Sequence, residues 1–244
     1  MRTARKQSAS GFYHVMVRGV GQQIIFESDA DRNRYISSLS RLLEEEGGEL
    51  IAWCLMDNHM HALMNVDIQT LAGVMRRTNS GYALYFNTVH ERNGHLFQGR
   101  FKSEPVDTDE YFMTVLRYIH QNPQRAGLSA GCAYEWSSYN EYVAGTLNPK
   151  SIDVIALFGG IDQFVRFHQE GDTNEPALTN KIKVGERRAL EVAEEELGMN
   201  RECVKSLPRA ERDAAIVRLK RAGLTARQIQ RLTGISLGVI GRAK

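Results

Sequence analysis

Cysteine is scarce in this sequence, and the few that occur are poorly placed for cross-linking. The 244 residues hold three, Cys54, Cys132 and Cys203, scattered and without a CxxC pair. That excludes a disulfide framework and a cysteine-built structural zinc site, and it fits a reducing cytosol. No apolar run reaches the roughly 18 residues that a membrane span needs. The opening stretch MRTARKQSAS is basic with no apolar core after it. No secretory signal is therefore expected, and residues 1–9 read as a disordered basic arm. Internal repeats and low-complexity tracts are absent. What remains is an ordinary soluble composition, 42% hydrophobic and 25% charged, long enough for one or two domains with real cores.

Net charge is nearly absent too, at +2, but it is unevenly distributed. Residues 1–145 carry 14 Lys and Arg against 16 Asp and Glu, whereas residues 200–244 carry 11 against 3. Residues 68–102 hold Arg76, Arg77, Arg92, Arg100 and Lys102 against Glu91 alone. Two basic regions on a near-neutral chain fit a polyanionic partner, most simply nucleic acid; a solubilising surface is the plainer reading of the diffuse first set.

Periodicity orders the chain as β-α-β-β-α-β-α. FYHVMVRG (12–19) alternates like a strand. Ser28 and Asp31 make a capping box for a helix bearing Tyr35, Leu39, Leu42 and Leu43. ELIAWCLM and HMHALMNV flank an Asp57-Asn58 turn and form a hairpin. A long helix follows over 68–94, then a short strand in GRFKSEPVDT. Thr108 or Asp109 caps a last helix, which Pro123 and Gly127 should end. This order predicts an α+β fold, a ferredoxin-like antiparallel sheet with helices on one face, over residues 10–145. Residues 146–183 read as a linker. Residues 184–244 read as a small all-α domain ending in a helix-turn-helix-like pair, Thr225–Leu232 and Ser236–Arg242.

The hairpin's second arm opens with His59 and His61, which strand alternation puts on one face. Two imidazoles so placed either hold a metal ion or form a half-buried polar pair. On the helix DEYFMTVLRYIHQNP, Phe112, Val115, Leu116 and Ile119 share the core face. Tyr118 and Asn122 lie within about 40° of each other at its edge, and His120 points about 160° away from Tyr118 at 100° per residue. Asn122 is thus a better third ligand than His120. Pro123 disfavours α geometry at Asn122, which leaves room for a loosened last turn. Tyr111 is a rival to Tyr118 on the same helix edge.

The ordered set NHMH, GHLFQGRFKS, RYIHQNPQRAGL and WSSY resembles the HUH single-tyrosine transposases of insertion sequences, closest to the REP-associated branch. One departure is Asp57 where such proteins often have Pro; Asp also suits the turn. The resemblance implies Tyr118 as nucleophile, forming a covalent 5′-phosphotyrosine with single-stranded DNA and freeing a 3′-hydroxyl. It implies His59, His61 and Asn122 as ligands of one divalent ion, Mg²⁺ or Mn²⁺. Its expected partner is single-stranded DNA with a palindromic hairpin, in the cytoplasm of a bacterium and associated with the nucleoid. A homodimer is compatible with it, and no membrane partner is expected. Arg76, Arg77, His95, Arg100 and Lys102 are DNA-contact candidates in this domain. In the C-terminal domain Arg227, Arg231 and Arg242 would contact phosphates of duplex or hairpin DNA. Two alternatives stay open: a catalytically silent DNA-binding regulator, and a metallohydrolase working through bound water.

Overall fold

The computed structural model describes residues 5–147, 149–170, 176–178, 186–198, 201–224 and 226–243. The chain splits into two compact units, Met1–Thr179 and Asn180–Lys244. Among the described residues, no helix is long and apolar enough to cross a membrane.

The first unit is an α+β fold on a four-stranded antiparallel sheet. Its strands are β1 (Phe12–Arg18), β2 (Glu49–Met56), β3 (His59–Asn65) and β4 (Lys102–Pro105), in the order β2-β3-β1-β4. Helices α1 (Asp29–Glu45) and α2 (Ile68–Val89) start where the sequence predicts. Ser28 and Asp31 form the reciprocal capping box, and Asp67 caps α2. Both pack on one face: Tyr13, Val15 and Val17 of β1 and Met60, Ala62 and Met64 of β3 join Leu39 and Leu43 of α1 and Leu71 and Val74 of α2.

The opposite face is covered as well, which a one-faced arrangement of helices does not include. Helix α3 (Asp109–Arg125) lays Phe112, Val115, Leu116 and Ile119 against Cys54, Met56 and Leu63. The physical reason is visible in β3, where six successive residues from His59 to Met64 are buried. A strand buried on both sides needs a cover on both sides. Helix α3 begins at Thr108, as expected, but Pro123 does not end it. A proline in the last turn lacks the N–H that would bond to the Ile119 carbonyl, so the helix continues through it on its other contacts. The turn is closed by Ala126 N donating to Asn122 O at 3.1 Å and Leu128 N donating to Pro123 O at 2.9 Å. Gly127, at φ 72°, then turns the chain away.

Two further expectations are corrected. Part of the supposed linker is folded: α5 (Val154–Leu157) and α6 (Ile161–Gln169) follow α4 (Tyr139–Val143). Phe164 of α6 is fully buried and stacks on Tyr139, with ring centroids 5.7 Å apart. Residues 148, 171–175 and 179–183 of that span lie outside the described residues. These helices are too short for periodicity to reveal, and Gly159-Gly160 resembles loop composition. The described part of the supposed disordered arm is likewise tied down. Ser8 Oγ and Ala9 N donate to Asp107 Oδ1 at 2.6 and 2.9 Å, and Lys6 pairs with Glu104 at 2.9 Å.

Among its described residues the second unit is helical: α7 (Glu186–Leu197), α8 (Arg209–Arg221), α9 (Ala226–Thr233) and α10 (Leu237–Arg242). Ile216, Leu219, Ile229, Ile235 and Ile240 make its core. Gly234 at φ 69° turns the chain between α9 and α10, and α10 forms despite Gly238 and Gly241.

Because α6 fills the core behind α3, Phe164→Ala should destabilise the first unit by about 3–5 kcal/mol. Leu157→Ala, at a half-exposed site, should change it by less than about 0.5 kcal/mol. Both tryptophans, Trp53 and Trp136, belong to the first unit. Denaturant unfolding followed by tryptophan fluorescence reads this unit directly, and equal midpoints for the two variants would return α6 to the status of a linker.

Candidate functional site

The β1–β3 pairing places Arg18 opposite His59, Met16 opposite His61 and His14 opposite Leu63. His14, Arg18, His59 and His61 therefore share one sheet face, the one beneath α3. Helix α3 brings Tyr118 and Asn122 to the same place. His59 Nε2 lies 3.2 Å from Asn122 Oδ1. The Tyr118 ring stands edge-on to His61 with centroids 5.3 Å apart, and 6.0 Å from His14. His61 and His59 centroids are 5.3 Å apart. All of these except Arg18 are buried, His14 and His61 completely.

Burial holds the imidazoles neutral. His14 is pushed down to about 3 by desolvation alone. His59 is pushed down to about 3 by desolvation, opposed by its bond to Asn122 and helped by the nearby Arg18 charge. A neutral imidazole has one N–H. His59 nevertheless faces an amide oxygen at each nitrogen, Asn58 Oδ1 at 2.6 Å from Nδ1 and Asn122 Oδ1 at 3.2 Å from Nε2. The shorter contact fits the proton on Nδ1. Nε2 and Asn122 Oδ1 then converge lone pair to lone pair, a geometry that suits a cation. Two imidazoles and an amide oxygen are neutral donors and would leave a divalent ion its full charge.

Arg18 is half-buried, and desolvation, opposed by the phenol of Tyr118, lowers it. It thus places a positive charge near both Tyr118 and His59. The Arg125 guanidinium lies 5.3 Å from the Tyr118 ring centroid. The loop from Gly19 to Phe26 seals this end of the sheet. Gly19 N donates to Asn58 O at 2.9 Å, and Ile25 N and Phe26 N both donate to Asp57 O. A Cβ at residue 19 would overlap the Gln23 carbonyl oxygen, so only glycine fits there.

The other sequence candidates separate clearly. His120 is packed away from the site, its Nδ1 2.9 Å from His168 Nε2 and its Nε2 2.9 Å from Ser138 Oγ. The Tyr111 hydroxyl accepts from Ala177 N at 2.9 Å, about two helical turns from Tyr118. Asp57, the carboxylate beside the HxH pair in sequence, pairs with Arg32 of α1 at 2.5 Å, away from the α3 face, so it is not placed as the base of a bound-water hydrolase. Asn122 is buried inside α3 and does not hang from a loosened turn. Lys102 is exposed and registers with Met16, on the same face as His61 two strands over, about 10 Å. His95 and Arg100 are exposed on the loop that runs beside β1, where Gln98 N donates to Arg18 O at 2.8 Å. Arg76 and Arg77 lie on α2, across the sheet from the histidines, and Arg77 pairs with Glu46 at 2.9 Å. Arg227, Arg231 and Arg242 are exposed in the second unit. His14, Arg18 and Asn58 were missed from the sequence. The alternation of FYHVMVRG put His14 and Arg18 on one face, but nothing local said which strand they would pair with.

Residues 8–122 match the family described as "Transposase IS200 like". No curated protein matches the chain. Among solved structures, one of a REP-associated tyrosine transposase bound to a REP hairpin is similar, with TM-score 0.54 and 14% identity over 72% of this chain and 95% of that one. This likeness concerns the fold. A candidate transposase from Deinococcus radiodurans R1 is more distant, with TM-score 0.33 and 17% identity over 49% of this chain and 95% of that one, and carries no argument.

The neutral buried histidines set an acid limit. In the unfolded chain each takes up a proton near pH 6.5, while the fold holds His14 and His59 down to about 3 and His168 down to about 4 by burial. Their stabilising contribution is complete above about pH 6.5 and is lost progressively as pH falls from there to the folded values. Urea midpoints read by tryptophan fluorescence should fall steadily from pH 7 to pH 4.5; a flat profile would contradict neutral burial.

Proposed function

We propose, from the match of residues 8–122 to the IS200-like transposase family, that the protein nicks and rejoins single-stranded or hairpin DNA through a covalent tyrosine intermediate. The observation that carries this is the convergence of His59, His61, Asn122 and Tyr118 on one sheet face from two separate elements. Tyr118 is the nucleophile. As its oxygen bonds to phosphorus, the bond from phosphorus to the 3′ oxygen breaks, leaving a 5′-phosphotyrosine and a free 3′-hydroxyl. No water is consumed, so a second 3′-hydroxyl can later displace the tyrosine. The rigid phenol is held by its ring contacts with His14 and His61. The Arg18 charge favours the phenolate that attacks.

His59, His61 and Asn122 are the residues that would hold a divalent cation, Mg²⁺ or Mn²⁺; mixed nitrogen and oxygen donors suit Mn²⁺ well. Such a cation supplies Lewis-acid polarisation of the scissile phosphate when bound. Lys102, His95 and Arg100 are placed to contact the DNA backbone flanking the site. Arg76 and Arg77 belong at most to a separate surface, since they lie across the sheet. The second unit is assigned to duplex or hairpin DNA, through the exposed Arg227, Arg231 and Arg242 on its last two helices. Hairpin DNA is the natural substrate class for a chain that pairs a single-strand nicking site with a basic helical unit.

Incubation with end-labelled hairpin DNA and Mn²⁺, followed by a denaturing gel, should give a covalent adduct. Tyr118→Phe should abolish it and Tyr111→Phe should not. Cleavage without an adduct would favour a hydrolase; binding alone would favour a silent regulator. Replacing Arg227, Arg231 and Arg242 together by Gln should weaken hairpin binding and flatten its salt dependence by about one unit of slope per lost phosphate contact. Nicking of short single strands should persist in that variant, and its loss would contradict the assigned division of labour.

A further inference from the structure

Resting on the metal-site reading above, we propose that His14 is a positioning residue that fixes the tautomer and the ring plane of His61. The two rings lie diagonally across β1 and β3, with His14 Nε2 2.9 Å from His61 Nδ1 and centroids 5.1 Å apart. Two neutral imidazoles at that distance share one proton, and only two arrangements exist. Either His61 Nδ1–H donates to His14 Nε2, which leaves a lone pair on His61 Nε2 for a cation. Or His14 Nε2–H donates, the His61 proton sits on Nε2, and that nitrogen cannot bind a metal. An acceptor at position 14 is what makes the first arrangement available.

The surroundings argue that the histidine is there for this bond. His14 is fully buried, and its Nδ1 has no hydrogen-bond partner. Burying an imidazole with one polar atom unsatisfied is costly, so packing alone would favour an apolar side chain. The contact with His61 is the compensation. Asn58 holds His59 in the same way, through its Oδ1 at 2.6 Å from Nδ1. Each histidine of the pair thus has its own orienting group, one from the adjacent turn and one from the neighbouring strand. Partners of this kind typically account for about 10- to 100-fold in metal affinity.

The test is Mn²⁺ binding to the full-length protein without DNA, by titration calorimetry, with thermal unfolding as a check on folding. His14→Phe should bind Mn²⁺ about 10- to 100-fold more weakly. His14→Gln, whose amide oxygen reaches the place of the imidazole Nε2, should recover most of that loss. Long-range ¹H–¹⁵N spectra with Mg²⁺ should show the His61 proton on Nδ1 in the wild type and in His14→Gln. If His14→Phe binds as the wild type does while His61→Ala does not, this inference fails and the metal site stands. If His61→Ala also binds normally, the metal-site reading itself fails. Should His14→Phe not fold, a His14→Gln variant with the His61 proton on Nε2 would overturn the inference on its own.

Discussion

The antiparallel register of β1 against β3 is the constraint from which the site follows. It sets Arg18 across from His59 and His14 diagonally across from His61, and it turns all four side chains toward α3. A strand's side chains alternate with a period of two, so a slip of β1 by one residue would send His14 and Arg18 into the α1–α2 core and leave His59 and His61 without them. The register is protected by what the other face carries. Tyr13, Val15, Val17, Met60, Ala62 and Met64 are buried against α1 and α2, and the same slip would turn Tyr13, Val15 and Val17 out of that core. The hydrophobic effect on one face thereby positions the chemistry on the other.

The last turn of α3 shows how a polar seam survives inside an apolar core. Three consecutive side chains leave it in three directions. His120 bonds to His168 and Ser138, Gln121 Nε2 donates to the carbonyls of His168 and Glu170, and Asn122 meets His59. The first two pin the turn to α6 and to the WSSY segment, which itself lies along the edge of β2 through Leu55 N donating to Trp136 O and Ser138 N donating to Trp53 O. A turn held from two sides keeps its helical form through Pro123, and Asn122 stays where His59 can reach it. His14, His59 and His120 each keep at least one ring nitrogen hydrogen-bonded, which lowers the cost of burying them.

Much of this was readable in the chain. The capping box at Ser28 and Asp31, the Asp57-Asn58 turn and the cap at Thr108 are local chemistry and appear in the structure as written. The angular separation of Asn122 from His120 follows from helix geometry alone, and His120 does face elsewhere. The folded helices at 154–169 were not readable, because each is too short to show a period and their stability comes from Phe164 and His168 entering a core made by residues far away. Pro123 misled for the same reason: its local preference was outweighed by the contacts that hold the turn.

By itself, then, the sequence determined the α+β class, the order of the elements, and the candidate pairing of an HxH strand with a helix that carries Tyr118 and Asn122. These depend on periodicity, capping and turn chemistry, which act over a few residues. Only the tertiary structure decided that His14 and Arg18 join the site, that Arg76 and Arg77 do not, and that α3 lies on the far side of the sheet from α1 and α2. Strand partners and the face a helix covers are settled by burial of side chains distant in the chain, and no local pattern encodes that.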